Sequence, residues 1–332
     1  MAATLYTGTG ATLAVSNAVN SVGMHPDLLW IKNRSAANSH QLADSIRGVT
    51  KYLFSDANSV EETRTDQVTA LSASGFSLSA LVVNTAVNNT SNNYVGWQWK
   101  AGGTAVSNTS GTITSSVSAN PTAGFSVVTY TGTGANATVG HGLGVVPSLV
   151  ICKNRSAAQG WITYHISSGA TDYLVLNATT AATASSTAWN NTAPTSSVFS
   201  VGVNSGTGGL TDPYVAYCWA PVAGYSGFGR YTGNGSADGP FVYLGFRPRW
   251  ILIKSISAIT NWRILDTSRD VVNVESLELF PNLSNAEGTG VSLDGLSNGF
   301  KIRTAGSAYN TSADTYIYAA FAENPLKYAN AR

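Results

Sequence analysis

The chain has 332 residues, of which only 11% are charged, with 18 Lys and Arg against 17 Asp and Glu. No net field exists to gather nucleic acid or an anionic membrane, and no apolar run reaches the roughly 18 residues of a membrane span. The polar surface must come from Ser, Thr, Asn and 33 glycines, a makeup poor in helix formers and rich in strand and turn formers, which predicts an all-β protein.

Near the N-terminus, "YTGTG" at Tyr6 reads as a strand running into a hairpin turn. Nothing helical follows it, so a phosphate loop is not expected. Pro26 then opens an apolar strand, "PDLLWIK", ending in Lys32. Apolar on both faces, it is predicted to be central, with its lysine at the end either emerging by snorkelling or bonding a neighbouring loop. "SGFSLSALVVN" from Ser74 alternates apolar and polar like a half-buried strand. "YVGWQW" from Tyr94 closes the unit, with Val95, Trp97 and Trp99 on one face.

The same anchors return twice. "YTGTG" recurs at Tyr130 and "YTGNG" at Tyr231; "PSLVICK" runs to Lys153 and "PRWILIK" to Lys254. "YVAYCW" from Tyr214 and "YIYAAF" from Tyr316 close the later units, the three closing anchors lying 62, 61 and 62 residues beyond their lysines. Such regularity is a threefold internal repeat. We place the units at residues 1–101, 123–222 and 223–332, with 102–122 as a Gly/Ser/Thr-rich connector, and read each unit as a jelly-roll-like β-sandwich.

The candidates for chemistry are few. Asp44, His165 and Asp266 fall twelve residues after the three lysines, and Arg47 and Arg269 follow two of them, with Ser168 in the middle unit. An Asp-x-x-Arg pair at a turn is a structural brace before it is a catalytic acid. The four histidines share no metal-ligand spacing, no acidic position is common to all three copies, and neither cofactor nor catalytic residue is expected. Cys152 and Cys218 are expected to be buried small hydrophobes. Trp161 and Trp262, each eight residues after its lysine, and Trp189 within "STAWNNTAP" stand in polar stretches. They are the candidates for stacking on sugar rings, set against a role capping the core. The verbatim repeat "KNRSAA", at Lys32–Ala37 and Lys153–Ala158, is explained by duplication and is lost from the third unit.

The stretch "ITSSVSANPTAGFSVVTYTGTGANATVGHGLGVVPSLVICKNRSA", Ile113 to Ala157, resembles a module recurrent in tail fibre and other virion-surface proteins of tailed bacteriophages. Its marks are a strand ending Tyr-Thr-Gly, then His-Gly-Leu-Gly, a proline, and an apolar strand into Lys-Asn-Arg. The resemblance is weaker in the first unit, which lacks His-Gly-Leu-Gly, and weakest in the third, where "KSISAI" stands in the basic string's place. It implies a β-sandwich module, a virion location after synthesis in the bacterial cytoplasm, other virion proteins as partners and a homo-oligomer, with a trimer favoured. The expected function is a non-enzymatic structural protein of the tail or fibre apparatus that contacts host-surface polysaccharide. Capsid decoration without ligand binding is the alternative, and a polysaccharide-degrading enzyme the third reading.

Overall fold

A computed structural model describes residues 1–17, 22–80 and 86–325. The Leu81–Asn84 end of one predicted strand and the last seven residues of the third unit lie outside them. The protein is all-β: every regular element among the described residues is a strand, and every strand pair in its sheets is antiparallel.

Three sheets share one strand order. In the first, Ala2–Thr7, Asn93–Trp99, Leu28–Asn33 and Gln41–Asp44 lie side by side. In the second the order is Phe125–Thr131, Pro213–Trp219, Leu149–Asn154 and Ile162–His165. In the third it is Ser226–Thr232, Thr315–Ala322, Pro248–Ser255 and Arg263–Asp266. Registers coincide as well: Tyr6 faces Tyr94, Tyr130 faces Tyr214 and Tyr231 faces Tyr316. Each tyrosine pair stacks, with ring centroids 4.9–5.1 Å apart. The proline-led apolar strand is central in every sheet, because a strand apolar on both faces must be covered on both.

Alternation along the closing strands sorts side chains into two cores. Residues at Trp97, Trp99, Tyr217, Trp219, Ile317 and Phe321 point into one hydrophobic cluster built by all three units. Their neighbours Tyr94, Ala216, Cys218 and Ala320 point the other way, into a separate core within each unit. There each large sheet is covered by a smaller outer one, such as Leu13–Ser16, Gly75–Leu78 and Val68–Ser72 in the first unit. The small residues of that second face are therefore buried for close packing. Cys152 and Cys218 are buried in the second unit's own core and unbridged.

The segment read as a connector is not one. Val106–Asn108 and Ser115–Asn120 are strands that extend the second unit's sheet through Val117↔Val128 and its neighbours. Ile113, Ser115 and Val117 are buried, with exposed or half-buried Thr112, Thr114 and Ser116 alternating with them. That alternation, set in a composition of Ser and Thr that favours strands, outweighed the linker-like look of the segment.

Candidate functional site

The three units close on one another in a ring, and the side chains singled out by sequence lie in the seams. At the seam of the second unit with the first, Trp161 Nε1 donates to Phe54 O (2.8 Å) and Ala57 O (3.2 Å). At the seam of the third with the second, Trp262 Nε1 donates to Val175 O (3.0 Å). At the seam of the first with the third the same place is held by His40, whose Nε2 donates to Phe280 O (2.9 Å). His40 lies eight residues after Lys32, so equal spacing was the signal for it; only its chemistry differed.

The glycan-stacking expectation for Trp161, Trp262 and Trp189 is therefore corrected. The first two are at most 1% exposed inside the shared core, and Trp189 is 2% exposed in the second unit's core, edge-on to Tyr164 at 6.0 Å. No ring face is left for a sugar. The carbonyls that receive Trp161 and Trp262 belong to the neighbouring unit, which local sequence cannot report, whereas Trp189 is enclosed by its own unit.

The lysines do not emerge. Lys32, Lys153 and Lys254 are at most 1% exposed, and among the described residues each Nζ donates only to oxygens that carry no formal charge. Each also reaches one carbonyl of the neighbouring unit: Ser284 O (3.0 Å), Asn58 O (3.2 Å) and Thr179 O (3.3 Å) respectively. Burial pulls all three ammonium groups down to about 8.

"KNRSAA" is part of the same closure. Arg155 makes a two-pronged ion pair with Glu61 of the first unit (2.8 and 2.9 Å), and Arg34 does so with Glu287 of the third (2.9 and 2.8 Å). The backbone repeats the contact at all three seams: Glu61 N to Arg155 O, Glu287 N to Arg34 O, and Ala182 N to Ile256 O. Where the third unit has lost the string, the apolar Ile256 packs beside the shared core, as does Ala182. The two acids were not found from sequence because they sit at different offsets from their lysines.

Asp44 and Asp266 join these networks. Asp44 Oδ2 accepts from Arg47 Nε (2.5 Å) and from the Tyr217 hydroxyl (2.9 Å) of the second unit, while Arg47 also donates to Glu61 (3.0 Å). Asp266 Oδ2 accepts from Arg269 Nε (2.5 Å) and from Trp97 Nε1 (3.0 Å) of the first unit, and Arg269 donates to Glu287 (2.8 Å). Burial alone would lower the Arg47 pKa, but Asp44, Tyr217 and Glu61 offset it and the group ends raised. In the second unit His165 takes the position, because the third unit offers Ala319 where the others offer Tyr217 and Trp97. His165 Nε2 donates instead to Tyr318 O (3.1 Å). The missing Asp-x-x-Arg thus follows from the missing donor.

Chemically this arrangement is a set of clasps. His40, His141 and His165 each accept a hydrogen bond on Nδ1, from Trp30 Nε1, Leu143 N and Ser167 N, and donate from Nε2 to a carbonyl. Both ring nitrogens are engaged only in the neutral form, and burial lowers all three, His165 to about 4. Such groups stay neutral in the folded chain while the unfolded chain takes up protons below about 6.5. Their contribution is complete above pH 6.5 and is lost as pH falls towards 4. Glu275 opposes them, since burial and then Asp266 and Asp270 hold it protonated up to about 8. A comparison with His165→Gln cancels that opposition: between pH 6.5 and 4 the parent should lose about 3 kcal/mol that the variant does not. Urea unfolding across that range measures it, and parallel curves would refute a neutral buried His165.

Among the described residues no group of three His, Cys, Asp or Glu side chains could hold a metal ion. No curated protein and no solved structure matches the chain. A family described as a domain of unknown function, DUF7483, matches residues 1–325, and the chain belongs to it.

Proposed function

We propose that this chain is a non-enzymatic structural protein of a tailed-bacteriophage particle, carried in the tail or fibre apparatus as one pre-closed block. The observation that carries the reading is the fate of the chemistry-bearing side chains. Asp44, Arg47, Glu61, Arg155, Asp266 and Glu287 each bond a side chain of another unit, and Arg269 braces Asp266 and Glu287 behind the seam. The likeness of Ile113–Ala157 to a virion-surface module supplies the particle as the setting. A single core shared by three units suits a rigid component that must keep its shape outside a cell.

The block carries its threefold arrangement within one chain. Faces that single-module subunits would bury against each other are already buried here, so a trimer of chains is not needed to close the ring. The free protein is then expected to sediment as one chain of 34.5 kDa; a stable species of three chains would overturn this part of the reading.

Mass spectrometry and electron microscopy of purified particles test the main proposal. The chain should be present in several copies per particle, with its density on the tail or fibre. Density on the head would replace this placement with capsid decoration, and absence from particles would refute the virion role. Release of reducing sugars from host polysaccharide by the purified chain would refute the non-enzymatic reading.

A further inference from the structure

The three outer sheets differ at one matched place. Val15, Val139 and Val242 occupy equivalent positions on their strands, each buried and paired with a buried phenylalanine: Phe76, Phe199 and Phe300. The residues on either side of each valine face away from the core. In the first unit these are Ala14 and Ser16, in the second Thr138 and Gly140, and in the third Phe241 and Tyr243. The first unit leaves this face open with only Ala14 and Ser16 on it, while the second covers it with Asn108 and Thr112, so the first unit shows that packing does not require aromatic residues in the third copy.

Phe241 and Tyr243 are 46% and 65% exposed, and they are the only aromatic side chains exposed to this degree among the described residues. They stand two residues apart on the edge strand Phe241–Tyr243, so they share one face and lie within reach of a single ligand. Opposite Tyr243 is Gly299, with no side chain to cover the ring; opposite Phe241 is Lys301, and beyond it Asp294. The charges around the pair are matched: Lys301 with Asp238 at 2.8 Å and Arg303 with Asp294 at 3.3 Å.

We infer that this face of the third unit is a carbohydrate-binding platform, in which Phe241 and Tyr243 stack on the apolar face of a neutral sugar ring and the flanking polar groups bond its hydroxyls. The inference deepens the virion reading above by giving the third unit the contact with the host surface. Two rings offer far less area than the roughly 800 Å² per partner of a stable protein interface. Paired cations leave no surplus charge for a phosphate or an acidic peptide. What remains is a small neutral ligand with one apolar face and a rim of hydroxyls.

The test is a printed array of neutral and amino-sugar oligosaccharides, probed with the full chain and with the double variant Phe241→Ala, Tyr243→Ser, which copies the residues of the first unit. The parent should bind a subset of the array, and the variant should bind the same sugars at least about tenfold more weakly with an unchanged melting curve. An array that the parent does not bind, or a variant that binds as well as the parent, overturns the inference. Particles assembled with the variant should still contain it, and its loss from them would mark the face as a docking site for a virion protein instead. Absence of the parent from particles would sink the structural reading alone, since array binding is measured without particles.

Discussion

Replacing Asp266 with alanine should destabilise the entire chain by about 3–5 kcal/mol, the cost of leaving a buried charge without its partner. The carboxylate is fully buried and accepts from Arg269 Nε, Trp97 Nε1 and the backbone amides of Ser268 and Arg269. Its removal strands a guanidinium that is itself completely buried, leaving it Glu287 and Ile264 O. It also orphans the indole N–H of the neighbouring unit. For a chain of this length the melting temperature should fall by about 4–7 °C. Asp44→Ala, at the adjoining seam, should behave alike, since Tyr217 there stands where Trp97 stands here. A loss below about 1 kcal/mol in both variants would mean that the seams close through the core alone.

Trp99→Ala is expected to cost a similar 3–5 kcal/mol by a different route, the loss of a large buried side chain and the cavity left behind. Trp99 is 1% exposed and meets Trp219 at 5.8 Å, Trp250 at 5.5 Å and Phe321 at 5.7 Å, all near edge-to-face, so it touches the other two units at once. Its indole N–H has no hydrogen-bond partner among the described residues. Trp99→Phe, which deletes that group and keeps a ring, should therefore lose less than half as much. Because the core is common property, parent and variants should each melt in one calorimetric transition. Three resolved transitions would restore the picture of independent modules in tandem.

Much of this architecture is legible in the sequence, and the legible parts share a cause. The proline-led strand, its central place and the inward row of Val95, Trp97 and Trp99 follow from apolar runs and period-two alternation. The repeat follows from three anchors at nearly constant spacing. Failures cluster where the environment comes from another copy. Trp161 and Trp262 read as surface candidates because the carbonyls that receive their indoles belong to another unit, more than 80 positions away in sequence. Of the two expectations for Lys32, snorkelling or bonding a neighbouring loop, the second holds, but its cage is completed by Ser284, 252 positions distant. The connector was misjudged by composition, when its alternation already matched a strand.

"KNRSAA" shows the division most clearly. Sequence alone established that the string was duplicated and that the third copy had dropped it. Only the tertiary structure decided what it does: the arginines of two copies grip Glu287 and Glu61 across seams, and the third seam closes with Ile256 and Ala182. Strand position and facing are set by a backbone that alternates every residue, so they are written locally. Whether a face meets water or a sister unit depends on three surfaces far apart in the chain, and that is settled only when they assemble.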